Sequence, residues 1–116
     1  MSGKKQTFEE KLTRLEEIVA AAIANARAAA QRSVGTQPKF VALDIGPTGR
    51  LLKPLGDLDF EEAVEVFAAT VRLGVKYGVD LVLIETMNDL YETKAALLAA
   101  LWVISTRSCS PAKITV

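Results

Sequence analysis

Glu85 is the residue whose position in this sequence most directly suggests chemistry. It follows the apolar run Asp80-Leu81-Val82-Leu83-Ile84, which predicts a buried strand. Parallel-strand α/β proteins place their active sites at the carboxyl ends of strands. A carboxylate there can bind a substrate ammonium group or act as a base. The same position also suits a solvated strand-end residue or a helix-capping partner, so the pattern alone leaves these interpretations open.

A second carboxylate and a glycine-containing turn follow an earlier apolar run. Phe40-Val41-Ala42-Leu43-Asp44-Ile45 predicts a strand buried on both faces, with Asp44 one residue before its end. The turn Gly46-Pro47-Thr48-Gly49 could bring backbone N–H groups close to an anion, because glycine permits close approach. It lacks the Gly-Lys-Ser/Thr ending of a phosphate loop. A structural role for Asp44 and a plain turn are the alternatives.

The composition excludes several other kinds of site and partner. The 116 residues contain no histidine and one cysteine, Cys109, which excludes an internal disulfide and leaves that thiol without a histidine partner. We interpret Cys109 as a spectator thiol. Fourteen basic residues balance fourteen acidic ones, so no nucleic-acid or anionic-membrane partner is expected.

The same composition suggests a location. No apolar run approaches the roughly 18 residues that a membrane helix needs. The first six residues lack the apolar core of a signal peptide. A lone cysteine fits a reducing compartment, and we therefore expect a cytoplasmic protein.

Three helical patterns alternate with the two apolar runs. The first covers residues 7–32, where Thr7 and Glu10 match a capping box; a coiled coil is the weaker alternative for it. The second starts near Asp59, whose carboxylate can cap it, and ends at Gly78.

The third helical pattern starts near Asp89, which stands at capping-box spacing from Glu92. It carries Trp102, which we expect to pack against the core or a neighbouring chain. The order helix-strand-helix-strand-helix predicts βα units with parallel strands. Two strands make a poor sheet, and a (β/α)8 barrel takes about 250 residues, so the fold expected is a fragment of a (β/α)8 TIM barrel.

Two ordered motifs are together similar to the homocysteine S-methyltransferase family. The first is Phe40-Val41-Ala42-Leu43-Asp44-Ile45-Gly46-Pro47-Thr48-Gly49, with Leu51-Leu52-Lys53-Pro54-Leu55-Gly56-Asp57-Leu58 just after it. The second is Gly78-Val79-Asp80-Leu81-Val82-Leu83-Ile84-Glu85-Thr86-Met87-Asn88-Asp89, followed by Glu92-Thr93-Lys94-Ala95-Ala96. Within the family, the resemblance is to the homocysteine-binding domain of cobalamin-dependent methionine synthase.

The resemblance implies a (β/α)8 barrel that transfers a methyl group to the sulfur of homocysteine and forms methionine. It implies a zinc ion held by three cysteine thiolates, which keeps the substrate sulfur as a thiolate, and methylcobalamin as the methyl donor. Glu85 resembles the glutamate that binds the substrate amino group. Asp44, Gly46 and Thr48 line the same mouth in that picture.

The departures from the family matter as much. The zinc cysteines, two of them in a Gly-Gly-Cys-Cys-Gly motif, have no counterpart here, and the opening strand is absent. The resemblance fades after Ala100, and residues 105–116 form an irregular tail in which Ile114-Thr115-Val116 could start a strand. Residues 1–116 are therefore expected to form a partial barrel domain, inactive alone, that binds no zinc or methylcobalamin and holds no catalytic or metal-ligating residue.

Two other interpretations remain open. One is a non-catalytic α/β module whose open sheet edges and helix faces pair with a second copy or with another chain that completes the barrel. The other is a piece of a different (β/α)-barrel enzyme that shares only the strand-and-turn pattern.

Overall fold

The computed structural model describes residues 5–107 and 113–115, and helices alternate with parallel strands along them. The elements are α1 (Phe8–Arg32), β1 (Ala42–Ile45), α2 (Phe60–Lys76), β2 (Leu81–Ile84), α3 (Leu90–Ser105) and β3 (Lys113–Thr115). The predicted order helix-strand-helix-strand-helix is confirmed, and β3 follows it. Cys109 lies outside the described residues.

The strands form one parallel sheet in the order β1-β2-β3. Ala42 is paired with Leu81 and Ile45 with Ile84, while Leu81 is paired on its other side with Lys113. Each strand thus lies beside the strand that precedes it in the chain, and the segment that connects the two contains a helix. This is the arrangement of consecutive βα units in a (β/α)8 barrel.

Helices α2 and α3 cover one face of this sheet. The side chains that point to them are buried: Leu43, Ile45, Val82 and Ile84. The expectation that β1 is buried on both faces is wrong, because Ala42 and Asp44 on its other face are exposed in the described part of the chain. Gly74 of α2 lies against Leu43, where a Cβ would come within 2.6 Å of a Leu43 methyl carbon.

The helix caps follow the sequence only in part. Thr7 and Glu10 form the predicted capping box, each side chain accepting the other's backbone N–H at 3.2 and 2.8 Å. Gly78 has the expected positive φ of 85° after α2. Asp59 stands at the N-cap of α2 without a side-chain capping bond, because its carboxylate is paired with Lys53 at 2.8 Å.

The outer helix surfaces are more exposed than the sheet-facing ones. Only Ile23 of α1 is buried. Trp102 of α3 is about half exposed and lies 4.9 Å, ring centroid to guanidinium carbon, from Arg72 of α2, which is a cation–π contact rather than a core position. Among the described residues, no helix combines the length and the apolar character needed to cross a membrane.

Candidate functional site

Glu85 and Asp44 lie on the same, helix-free face of the sheet. The Glu85 N–H donates to the Ile45 carbonyl at 3.1 Å, so the ladder between the two strands continues one residue past β2. Asp44 is paired with Leu83, two residues before Glu85. Since side chains alternate along a strand, Asp44 and Glu85 point the same way. The strand spacing and the rise per residue put their Cα atoms about 8 Å apart. The structure therefore brings the two predicted carboxylates to one edge.

Along β1 and β2 the rest of this face is apolar, while β3 places Lys113 beside Leu81 and Thr115 beside Leu83. Leu81 and Leu83 are half-buried on it, Ala42 is exposed, and both carboxylates are exposed at its carboxyl end. In a (β/α)8 barrel the face opposite the helices is the barrel interior, and the carboxyl ends of the strands hold the active site. Two carboxylates at such an edge create a negative potential that suits a cationic group such as a substrate ammonium.

The backbone changes direction immediately after Glu85. Thr86 has φ of 56°, a left-handed conformation that is uncommon for a β-branched residue. Met87 then packs against the core. Glu85 is thus held between a ladder hydrogen bond on one side and a strained residue on the other, and backbone strain of this kind concentrates at functional sites. No sequence pattern predicts it, because threonine is a poor choice for a left-handed position.

The hydrogen-bond donors of Thr48 are not available to a ligand, because both already bond to another side chain of the protein. Its N–H and its hydroxyl both donate to Oε1 of Glu92, each at 2.8 Å. The Arg50 N–H donates in turn to the Thr48 hydroxyl at 3.2 Å. Gly46, by contrast, is exposed, and a Cβ built on it would meet no atom within 4 Å. Space for a ligand therefore lies at Gly46 rather than at the Thr48 hydroxyl.

Glu92 is the functional candidate that the sequence analysis missed. The predicted capping box at α3 is wrong: Asp89 accepts the Tyr91 N–H at 2.9 Å, while the Glu92 side chain turns to Thr48. Glu92 is 3% exposed. A usable signal was present, because Glu92 stands at helical spacing from Ala95, Ala96 and Ala99, all of them fully buried.

The loop that follows Gly49 is fixed against α2. Arg50 forms ion pairs with Asp57 and with Glu62 of α2, both at 3.3 Å. Its hydrogen bond to Asp57 and, to a smaller extent, that to Glu62 raise the pKa of Arg50. The hydrogen bond to Asp59 likewise raises the pKa of Lys53.

A cavity of about 290 Å³ lies behind this loop. Its lining residues are Leu52, Lys53, Pro54, Phe60, Tyr91 and Lys94. Asp44, Gly46, Thr48 and Glu85 are not among them. The cavity is therefore separate from the sheet edge that carries the carboxylates.

The comparison with known families decides the relationship of this chain. Residues 2–115 match the family model of homocysteine S-methyltransferase. The chain belongs to the homocysteine S-methyltransferase family. The match extends past Ala100, through β3.

The residues of this family member do not fit the zinc centre that the resemblance implies. Three thiolates are needed, and the sequence has one cysteine and no histidine. Within residues 5–107 and 113–115, no group of three or more histidine, cysteine, aspartate or glutamate side chains could hold a metal ion. No step of methyl transfer is therefore assigned to a metal on this chain.

Proposed function

We propose that this chain forms part of the wall that holds homocysteine in a methyltransferase of its family, with Glu85 binding the substrate ammonium group. The parent activity is transfer of a methyl group to the homocysteine sulfur to form methionine. The observation that carries the proposal is the place of Glu85: exposed, at the carboxyl end of β2, on the helix-free face, next to a left-handed residue.

Asp44 and Gly46 have supporting roles in this proposal. Asp44 adds a second negative charge to the same face, which favours a cation and disfavours a carboxylate close to it. Gly46 leaves room beside Glu85 for the substrate backbone. Thr48 contributes through the shape of the turn.

This chain alone is proposed to bind the amino-acid portion of homocysteine and not to catalyse methyl transfer. It supplies one thiol at most, so nothing in it lowers the pKa of the substrate sulfur as a zinc ion would. An exposed carboxylate–ammonium contact contributes only about 0.2–1 kcal/mol, so binding weaker than a dissociation constant of about 1 mM is expected. The cytoplasm is proposed as the location, since Cys109 stays reduced there.

The test is a titration of the ¹⁵N-labelled chain with L-homocysteine, followed by amide chemical shifts. Amides of residues 44–46 and 84–86 are expected to move, and Glu85→Gln is expected to weaken binding at least several-fold. 4-Mercaptobutanoate, which has the same thiol and carboxylate but no ammonium group, is the matched ligand control and should bind more weakly. Glu61→Gln, an exposed change in the first turn of α2, is the protein control. Equal binding of both ligands would contradict the proposal.

A second candidate function is a non-catalytic module that associates with itself. It is favoured by the apolar side chains that α1 leaves exposed, among them Phe8, Leu12 and Ile18. Light scattering after size-exclusion chromatography distinguishes the two. A monomer at all concentrations would argue against this second candidate, and a dimer lost in Ile18→Ser would support it.

A further inference from the structure

Glu92 is an acidic side chain that the fold has taken out of water. It is the one residue with a charged side chain that is buried in the described part of the chain. Burial of a carboxylate is costly unless hydrogen bonds and favourable potentials offset it. Both are present: Glu92 lies in the first turn of α3, where the helix dipole favours negative charge, and it accepts two hydrogen bonds from Thr48.

Both hydrogen bonds join parts of the chain that are distant in sequence. Glu92 and Thr48 are 44 residues apart, and the bonds tie the turn after β1 to the helix after β2. The two donors meet on one oxygen, Oε1, so the turn is held in both position and orientation. On the same face of α3, one turn after Glu92, the fully buried Ala95 and Ala96 keep the helix packed against the core. The Glu92 carboxylate therefore holds the turn 46–49 in a fixed position.

The position of Glu92 in the fold relates it to the proposed homocysteine-binding wall. The turn 46–49 is the continuation of the strand that carries Asp44, and α3 begins shortly after Glu85. A shift of the turn would move Gly46, which follows directly on Ile45, the residue whose carbonyl accepts the Glu85 N–H. The geometry of the wall thus depends on where the turn is anchored.

We propose that Glu92 is a positioning residue for the homocysteine-holding wall: through Thr48 it fixes the turn 46–49 beside Glu85. The inference rests on the proposed function of Glu85 and does not require Glu92 to touch the substrate. A purely structural role would lower the stability of the fold and leave the affinity of folded molecules unchanged. A positioning role lowers the affinity of molecules that are folded.

The experiment compares Glu92→Ala with Glu92→Gln in the full ¹⁵N-labelled chain. Glutamine keeps an Oε1 acceptor for both Thr48 donors, whereas alanine removes it. In Glu92→Ala the amide signals of Thr48 and Gly49 are expected to move, and affinity for L-homocysteine is expected to fall about tenfold, as when hydrogen bonds to a charged group are lost. Glu92→Gln is expected to restore the loop signals and to bind within about threefold of the unmodified chain. Glu61→Ala, at an exposed first-turn position of α2, should change neither.

A second variant covers the case in which Glu92→Ala does not fold. Thr48→Val replaces a half-buried residue by one of the same shape, removes the hydroxyl donor and leaves the N–H bond to Glu92. A loss of about threefold in affinity is expected, with a native-like spectrum elsewhere. Wild-type affinity in folded Thr48→Val, or in folded Glu92→Ala, overturns the proposal.

Failure of this inference and failure of the proposed function give different results. If the unmodified chain does not bind homocysteine, or if Glu85→Gln binds as tightly, the proposed function fails. The positioning of the turn is then decided by the loop signals alone: it stands if the Thr48 and Gly49 amides move in Glu92→Ala and return in Glu92→Gln. It falls if those signals are the same in all three chains.

Discussion

Arg27 and Asp80 join the first helix to the start of the second strand. Nη1 of Arg27 lies 2.9 Å from Oδ2 of Asp80, and Nη2 donates to the Gly78 carbonyl at 2.6 Å. The same Oδ2 accepts the Val41 N–H at 2.7 Å. One carboxylate oxygen thus connects α1, the residue before β1 and the residue before β2.

This arrangement gives the stability of the fold a defined pH dependence. The hydrogen bond from Arg27, and after it that from Val41, lowers the pKa of Asp80. A carboxyl with a lowered pKa in the folded state stabilises the fold above its unfolded pKa, about 4, and that contribution is lost as pH falls through the lower folded pKa. In Asp80→Asn the Val41 acceptor remains and the charge is gone.

We expect Asp80→Asn to reduce the free energy of unfolding by about 1 kcal/mol at pH 7, because the pair is one-third exposed. The difference from the unmodified chain should shrink below pH 4 and be smallest near pH 2. Urea denaturation at several pH values measures it. Arg27→Met should reproduce the loss, and the double variant should lose less than the sum of the two. A difference independent of pH would rule out the charge as its source.

Gly56→Ala should disrupt the loop that carries the Arg50 and Lys53 ion pairs. A Cβ at Gly56 would lie within 2.6 Å of the Leu51 carbonyl carbon, and backbone cannot move aside as a side chain can. A loss of about 1–3 kcal/mol in the free energy of unfolding is expected. Gly46→Ala, where a Cβ meets open space, is the matched control and should stay within about 0.5 kcal/mol. Equal losses in the two variants would contradict the overlap.

Thr86→Gly should leave the free energy of unfolding unchanged or raise it by up to about 1.5 kcal/mol. Relief of the left-handed conformation gains roughly 1–2 kcal/mol, and the entropy of glycine in the unfolded chain takes back about 0.5–1 kcal/mol. Thr36→Gly, at an exposed loop position without positive φ, should instead lose about 0.5–1 kcal/mol. Thermal denaturation of both variants gives the comparison. The idea of strain at Thr86 is abandoned if the two lose stability alike.

Zinc is expected to bind this chain weakly and without fixed stoichiometry. With one thiol and no histidine the remaining ligands would be carboxylates, and residues 5–107 and 113–115 contain no group of three or more such side chains that could hold a metal ion. Equilibrium dialysis followed by metal analysis tests this, and Cys109→Ser should give the same binding curve. One tightly held zinc ion per chain would contradict the assignment of this chain to the substrate wall alone.

The sequence predicted the elements of this fold well because their causes are local. The capping box of Thr7 and Glu10 and the left-handed Gly78 depend on residues within one or two turns, and both are confirmed. The same reasoning failed at Asp89 and Glu92, which have identical spacing to Thr7 and Glu10. There the deciding partner is Thr48, 44 residues away, and no local pattern shows that its donors will be near.

The candidate site was predictable to the same extent. Strand ends identified Asp44 and Glu85, and parallel pairing then required them to share an edge. The conformation of Thr86 and the competition of Lys53 for Asp59 depend on how separate segments meet, so they appear only in three dimensions. Glu92 stands between these cases, since its buried face could be read from the alanines but its partner could not.

The sheet order β1-β2-β3 has a consequence for how such a chain can fold while it is being translated. Each new strand lies against the one translated just before it, so the sheet can grow from one side as the polypeptide leaves the ribosome. No earlier pairing has to open to admit a later strand. An added βα unit could join at the outer edge of β3 in the same way, so that the sheet can be extended by one βα unit at a time.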